Sequence, residues 1–173
     1  MGADGLLLRP AKESDRRTLW RIHTLAVEAL CSRAYAPHEV STWVRLLKPE
    51  GYLRPERPRT VLVAERSRRV VGFGQVDAAP GELEALYVVP DEAGQGVGPA
   101  LLSALESAVW RGNAALLGLD ASLNAEHFYQ RHGYASVHSA RRTLTVDVQL
   151  AFVRMQKQRP AMALGRWPAW RRG

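Results

Sequence analysis

Residues 86–102, LYVVPDEAGQGVGPALL, restrict the fold of this chain more than any other segment. Apolar and β-branched residues ending at Pro90 read as a strand that stops. Apolar residues then recur at helical spacing (Leu101, Leu102, Leu105, Val109), which predicts a helix over 98–110. A further apolar strand at 116–121 completes a βαβ unit, whose two strands must run parallel. Between the first strand and the helix, Gly94, Gly96 and Gly98 alternate. Glycine adopts positive φ and lets the backbone approach a ligand closely. A helix start offers unpaired N–H groups and the positive end of a dipole. Gly94, Gln95, Gly96, Val97 and Gly98 therefore predict an anion cradle that needs no lysine. The GxGxG spacing departs from the dinucleotide fingerprint, and no Gly-Lys-Ser/Thr is present for a Walker loop.

The rest of the chain supplies the frame. Residues 6–9 read as a first strand ended by Pro10. Ser14 or Asp15 caps a helix to about Cys31, with Leu19, Ile22, Leu25, Ala26, Ala29 and Leu30 at helical spacing. Pro37 opens a second helix carrying Val40, Trp43, Val44 and Leu47, and the prolines of 48–59 mark a loop. Strands follow at 60–64, 70–76 and 83–89, joined by short turns that favour antiparallel pairing. After the βαβ unit come a short helix at 124–132 and strands at 134–137 and 149–155. The predicted fold is α/β (α+β): a single domain over 1–157 with a mixed central sheet of six to seven strands and about four helices. Its order is β-α-α-β-β-β-α-β-α-β-β, followed by a basic, tryptophan-containing tail over 158–173.

Composition narrows the function classes. At 173 residues with 46% hydrophobic content, the chain suits one sizeable core. The net charge of +7 invites a polyanion, but the arginines are scattered and form no stripe, so no nucleic-acid partner is expected. Cys31 is the only cysteine, which excludes an intrachain disulfide and a zinc cluster, and no metal is expected. No signal peptide and no membrane span are expected, which makes a cytoplasmic protein the default. A homodimer is compatible with this picture.

Two blocks together resemble the GNAT N-acetyltransferase superfamily, over about residues 5–157. The first is Leu86-Tyr87-Val88-Val89-Pro90 followed by Ala93-Gly94-Gln95-Gly96-Val97-Gly98, against a family pattern of Arg/Gln-x-x-Gly-x-Gly/Ala. The second is Leu119-Asp120-Ala121-Ser122 followed by Phe128-Tyr129-Gln130-Arg131-His132-Gly133-Tyr134, the family's Tyr-x-x-x-Gly-aromatic block. The resemblance implies acetyl-CoA as co-substrate and a primary amine, on a small molecule or a peptide, as acceptor. It assigns cofactor contacts to Leu86, Tyr87, Val88, Gly94, Gln95, Gly96, Val97, Gly98, Pro99, Ser122 and Asn124. Asn124 alternatively caps the short helix. Two departures stand out. Ala93 replaces a polar side chain, and Pro99 removes one N–H. One charged hydrogen bond is worth about 1.5–3 kcal/mol, so affinity drops about tenfold or more without it.

Direct attack of an amine on a thioester needs a neutral amine, a stabilised oxyanion and a proton for the thiolate. The resemblance places Tyr129 beside the cofactor sulfur as general acid. A carboxylate on the strand entering the cradle can serve as base; Glu84 is the candidate, with Glu82 and His127 as alternatives. Alternation puts Glu82, Glu84, Leu86 and Val88 on one face, and Leu83, Ala85 and Tyr87 on the other. The N–H near Val88 is the candidate oxyanion donor. In the family the first two helices line the acceptor pocket, which would gather Cys31, Tyr35, His38 and Trp43. The competing reading is a degenerate acyl-CoA-binding or regulatory protein of the same fold, without catalysis.

Overall fold

The computed structural model describes residues 5–54 and 59–161. In chain order the elements are β1 (Leu6–Pro10), α1 (Arg16–Leu30), α2 (Pro37–Leu46), β2 (Thr60–Arg66), β3 (Arg69–Asp77), β4 (Glu82–Val88), α3 (Val97–Arg111), β5 (Leu116–Ser122), α4 (Glu126–Arg131), β6 (Ala135–Thr145) and β7 (Val148–Gln158). The strands form one sheet ordered β1-β2-β3-β4-β5-β7-β6. Every neighbouring pair is antiparallel except β4 and β5, which run parallel as the βαβ unit requires. The element order matches the sequence expectation. Among the described residues no helix is long and apolar enough to cross a membrane.

Helix α3 covers one sheet face, burying Leu102, Leu105 and Val109 against Val76, Leu83, Leu117 and Leu119, and Leu101 against Val71 and Val97. Its close approach depends on Gly74: a Cβ there would lie 2.4 Å from Leu105 Cδ1. Helix α1 packs Leu19 and Ile22 into a second cluster with Val61, Val63, Val71 and Phe73. Its buried stripe is Leu19, Ile22, Ala26 and Val27, with half-buried His23 in register, whereas Leu25 is exposed. Apolarity alone had placed Leu25 on the stripe and left His23 off it. Asp15 is the N-cap residue of α1, but its side chain makes no capping hydrogen bond there. Its carboxylate turns back to accept the Lys12 N–H at 2.7 Å and the Arg9 guanidinium at 2.8 Å.

Strands β6 and β7 run well past the expected 134–137 and 149–155. β6 is the outer edge and most of its side chains are exposed on both faces. No apolar alternation is needed there, so periodicity could not reveal it. β7 continues through Gln158, and the Arg159 N–H donates to Ala115 O. From residue 162 the tail lies outside the described residues.

Candidate active site

Strands β4 and β5 pair at only two positions, Glu82 with Gly118 and Leu83 with Leu119. Beyond them the strands part, although β4 runs on to Val88 and β5 to Ser122. β5 stays paired with β7 along its whole length, and β4 with β3. The sheet is thus split in its middle. At the start of the split Arg154 donates to Glu82 (Oε2, 2.7 Å) and to Asp120 (Oδ1, 3.1 Å). Gly118 makes room for it, since a Cβ at 118 would sit 2.2 Å from the guanidinium.

Strand N–H groups point alternately to either side. The Val89 N–H donates to Val71 O on the β3 side, which turns the N–H groups of Val88 and Leu86 into the split. A bulge lies between Gln75 and Val76, where Val76 pairs with Leu83, Gln75 pairs with Ala85, and Glu84 is the extra residue. This corrects the expected alternation. Leu83 shares the α3 face with Leu86, while Ala85 and Tyr87 keep the opposite face and Glu84 joins them.

The cradle is built from backbone. Gly94 and Gly96 have φ of 79° and 82°, and a Cβ on either would meet only open space. Their need for glycine is therefore conformational, and the space above them is free for a ligand. Gly96 is the N-cap of α3, so the N–H groups of Gly96, Val97 and Gly98 lack intrahelical acceptors. Gly98 sits in the first turn and needs no special conformation; its Cα faces Phe128. Pro99 is the third helical residue, where its missing N–H costs the helix nothing but leaves the cradle one donor short. The Val97 side chain belongs to the core. Gln95 braces the loop, donating from Nε2 to Asp91 O at 2.8 Å. Arg66 clamps the loop from β2 through Glu92.

Two cavities meet at the split. The smaller, about 360 Å³, is lined by the cradle glycines, Ala93, Pro99, Val88, Ser122, Asn124, Phe128 and the α1 residues Ala26 and Leu30. The larger, about 590 Å³, is lined by side chains of α1, α2, β4, β5 and the β6–β7 hairpin. Leu86, Tyr87, Ser122, Ala125 and Tyr129 line both. Tyr129 is buried, with its ring packed edge-on against Phe128 and Tyr134. Among the described residues no group hydrogen-bonds its hydroxyl. Burial pushes the phenol above its ordinary pKa, so it holds its proton.

The other expected residues divide. Glu84 lines the larger cavity, and its Oε2 accepts from Arg59 Nε at 2.8 Å and Gln75 Nε2 at 2.7 Å. Glu82 also lines it but is held by Arg154. His127 is exposed on α4 and lines neither cavity. Asn124 does not cap α4, whose N-cap is Ala125. Instead Asn124 and Ser122 reach the thiol of Cys31, which burial pushes up to about 11. Cys31 lies on the smaller cavity, not among the acceptor-side residues. His38 is exposed and outside both cavities, whereas Tyr35 and Trp43 line the larger one. The Tyr35 hydroxyl donates to Ala151 O at 2.7 Å and accepts the Leu123 N–H at 3.0 Å, tying α1 and α2 to the far side of the split.

Sequence reasoning missed His23. Its ring stacks on Tyr87 at 3.7 Å, its Nδ1 meets the Tyr52 hydroxyl at 2.8 Å, and it lines the larger cavity. A polar residue in register with a buried helical stripe was the available signal. Arg154 was also missed, because nothing local to its strand marks a residue that pins two carboxylates on other strands.

A split sheet with a backbone cradle on one side and a side-chain cavity on the other suits two reactants that meet in the middle. A family model described as the Acetyltransferase (GNAT) domain matches residues 31–159, and the chain belongs to that acetyltransferase family. A relative from Escherichia coli (strain K12), described as the uncharacterized N-acetyltransferase YafP, is 26% identical over 138 residues, covering 80% of this chain and 87% of the relative. Among solved structures, a GCN5-related N-acetyltransferase from Rhodopseudomonas palustris superposes with a TM-score of 0.83 at 26% identity, covering 91% of this chain and 98% of that one. The PaiA N-acetyltransferase of Thermoplasma acidophilum, in complex with coenzyme A, shares the fold with a TM-score of 0.72 at 17% identity, covering 89% and 99%.

Proposed function

We propose that this acyltransferase takes an acetyl group from acetyl-CoA and delivers it to a primary amine by direct attack. The observation that carries the reading is the meeting of the two cavities at Tyr129, which lines both and whose hydroxyl has no hydrogen-bond partner among the described residues. The residues of the smaller cavity fit the coenzyme. Open space lies above Gly94 and Gly96 beside the free N–H groups of the helix start, which suits a pyrophosphate. The apolar wall of Ala26, Leu30 and Phe128 suits the arm that carries the thioester.

In this reading the Val88 N–H, turned into the split, donates to the acetyl oxygen as negative charge develops on it. The acceptor enters through the larger cavity. Its nitrogen forms a bond to the carbonyl carbon and the carbon–sulfur bond breaks. Tyr129 gives its proton to the departing thiolate. Glu84 takes the proton that the amine must lose, directly or through a water. Its ion pair with Arg59 holds that carboxylate on the cavity wall. Glu82 is less suited, because both of its oxygens are engaged by Arg154.

Calorimetric titration with acetyl-CoA, followed by thiol release across a panel of amines, tests the reading. Binding and amine-dependent release are expected. Absence of acetyl-CoA binding would overturn it.

A further inference from the structure

We propose that Arg142 reads a carboxylate on the acceptor, so that the amines this chain acetylates best carry a carboxylate a short way from the nitrogen. The inference rests on the acetyltransferase reading above and adds the chemical class of the acceptor.

The strand register aims Arg142 over the floor of the larger cavity. Residues paired directly across strands share a face of the sheet. Arg142 pairs with Leu150, Phe152 pairs with Ser122, and Arg154 pairs with Asp120. Leu150, Phe152 and Arg154 alternate along β7 and so share one face. Arg142, Leu150, Phe152, Ser122 and Asp120 therefore project from that face, and all five line the larger cavity. Arg142 starts on the edge strand β6, with β7 between it and β5. Its Nη2 nevertheless donates to Asp120 Oδ2 on β5 at 2.8 Å, and its guanidinium carbon stands 5.5 Å from the Phe152 ring centre. The side chain thus lies across the cavity floor instead of pointing off the sheet edge. It is 64% exposed, so it is open to an occupant. Its charge also reaches the opposite wall: burial pushes the Tyr87 phenol well above its ordinary pKa, and Arg142 works against that rise.

Charge counting gives the sign of the partner. Three carboxylates line the larger cavity, Glu82, Glu84 and Asp120. Each is already held by arginine: Glu82 by Arg154, Glu84 by Arg59, and Asp120 by both Arg142 and Arg154. A linear polyamine finds no uncompensated anion on this wall. Arg142 is the only arginine or lysine on the lining among the described residues. Its side chain makes a single hydrogen bond there, to Asp120, which leaves most of its N–H donors unspent. Asp120 keeps Arg154 as a partner if Arg142 turns toward a ligand. A guanidinium fork matches a carboxylate in shape and charge.

The test compares amino acids with their carboxamides, from glycine through longer ω-amino acids, by kcat/KM from thiol release. The wild-type chain is expected to prefer the carboxylates by at least about tenfold, the size of one charged hydrogen bond. The preference should peak at one chain length and shrink as salt is added. Arg142→Gln should erase it through a rise in KM for the carboxylates. Arg142→Glu should reverse it, and Arg142→Lys should keep part of it. The wild-type comparison decides even if a variant folds poorly. A wild-type chain that treats acid and amide alike or prefers the amide, or an Arg142→Gln loss equal on both, would overturn the inference while leaving the acetyltransferase reading intact. No acetylation of any amine by a chain that binds acetyl-CoA would overturn that reading and this inference with it.

Discussion

The two cavities are built by different means. The smaller is walled on one side by consecutive backbone, the turn and first residues of α3. The larger gathers side chains from α1, α2, β4, β5 and the β6–β7 hairpin, residues separated by up to most of the chain. A backbone site depends on conformation and tolerates side-chain change. A side-chain site depends on identity and position, and is free to vary from one family member to the next. In the proposed reading, one end of the reaction is therefore fixed by local sequence, and the other by tertiary packing.

The sharpest way to break this contrast is at the shared residue. Tyr129→Phe is expected to lower kcat by about 10²–10⁴-fold, the usual worth of a general acid, with the acetyl-CoA dissociation constant unchanged in calorimetry. A matching loss of affinity would mean that Tyr129 belongs to the cradle. Glu84→Gln removes a group of the larger cavity only. Its kcat should fall by about 10²-fold or more with cofactor binding again unaffected; a rate within twofold of wild type would pass the base role to solvent.

The larger cavity should also announce itself in acid. His23 is pulled down to about 3 in the folded chain, while in the unfolded chain it titrates near 6.5. The unfolded state therefore binds a proton first as pH falls. The stability tied to a neutral His23 is intact above about 6.5, and is lost progressively between 6.5 and 3. By pH 5 the loss is on the order of 2 kcal/mol. Urea titrations at pH 7 and 5 should show this difference in the wild type and lose it in His23→Gln. The smallest effect tests the smaller cavity. Ala93→Arg restores a side chain to the cradle wall and should tighten acetyl-CoA by about tenfold. No change would mean that the backbone groups already saturate the anion.

How much could be read beforehand follows the same division. Gly94, Gly96 and the start of α3 were legible because positive φ and helix starts leave residue types at fixed spacing. Tyr129 was legible only beside a second block that placed it on the right element. The faces of β4 were misread, because the bulge at Glu84 moves one residue out of alternation and no glycine or proline signals it. His127 was an alternative base, but on the short α4 it is exposed and lines neither cavity. His23 escaped because its partners Tyr52, Tyr87 and Trp43 lie on other segments.

The split between β4 and β5 leaves the sheet with two interior edges, of which that of β4 carries the N–H groups of Leu86 and Val88. Open edges usually invite other strands, and proteins guard them with charge or bulges. These lie mid-sheet, between the cavity walls rather than at the rim. The β4 amides should exchange with solvent in a period-two pattern: Leu86 and Val88 fast, Tyr87 and Val89 slow behind β3. The same two amides would slow when the split is filled, so hydrogen exchange at two residues reports its occupancy without any turnover.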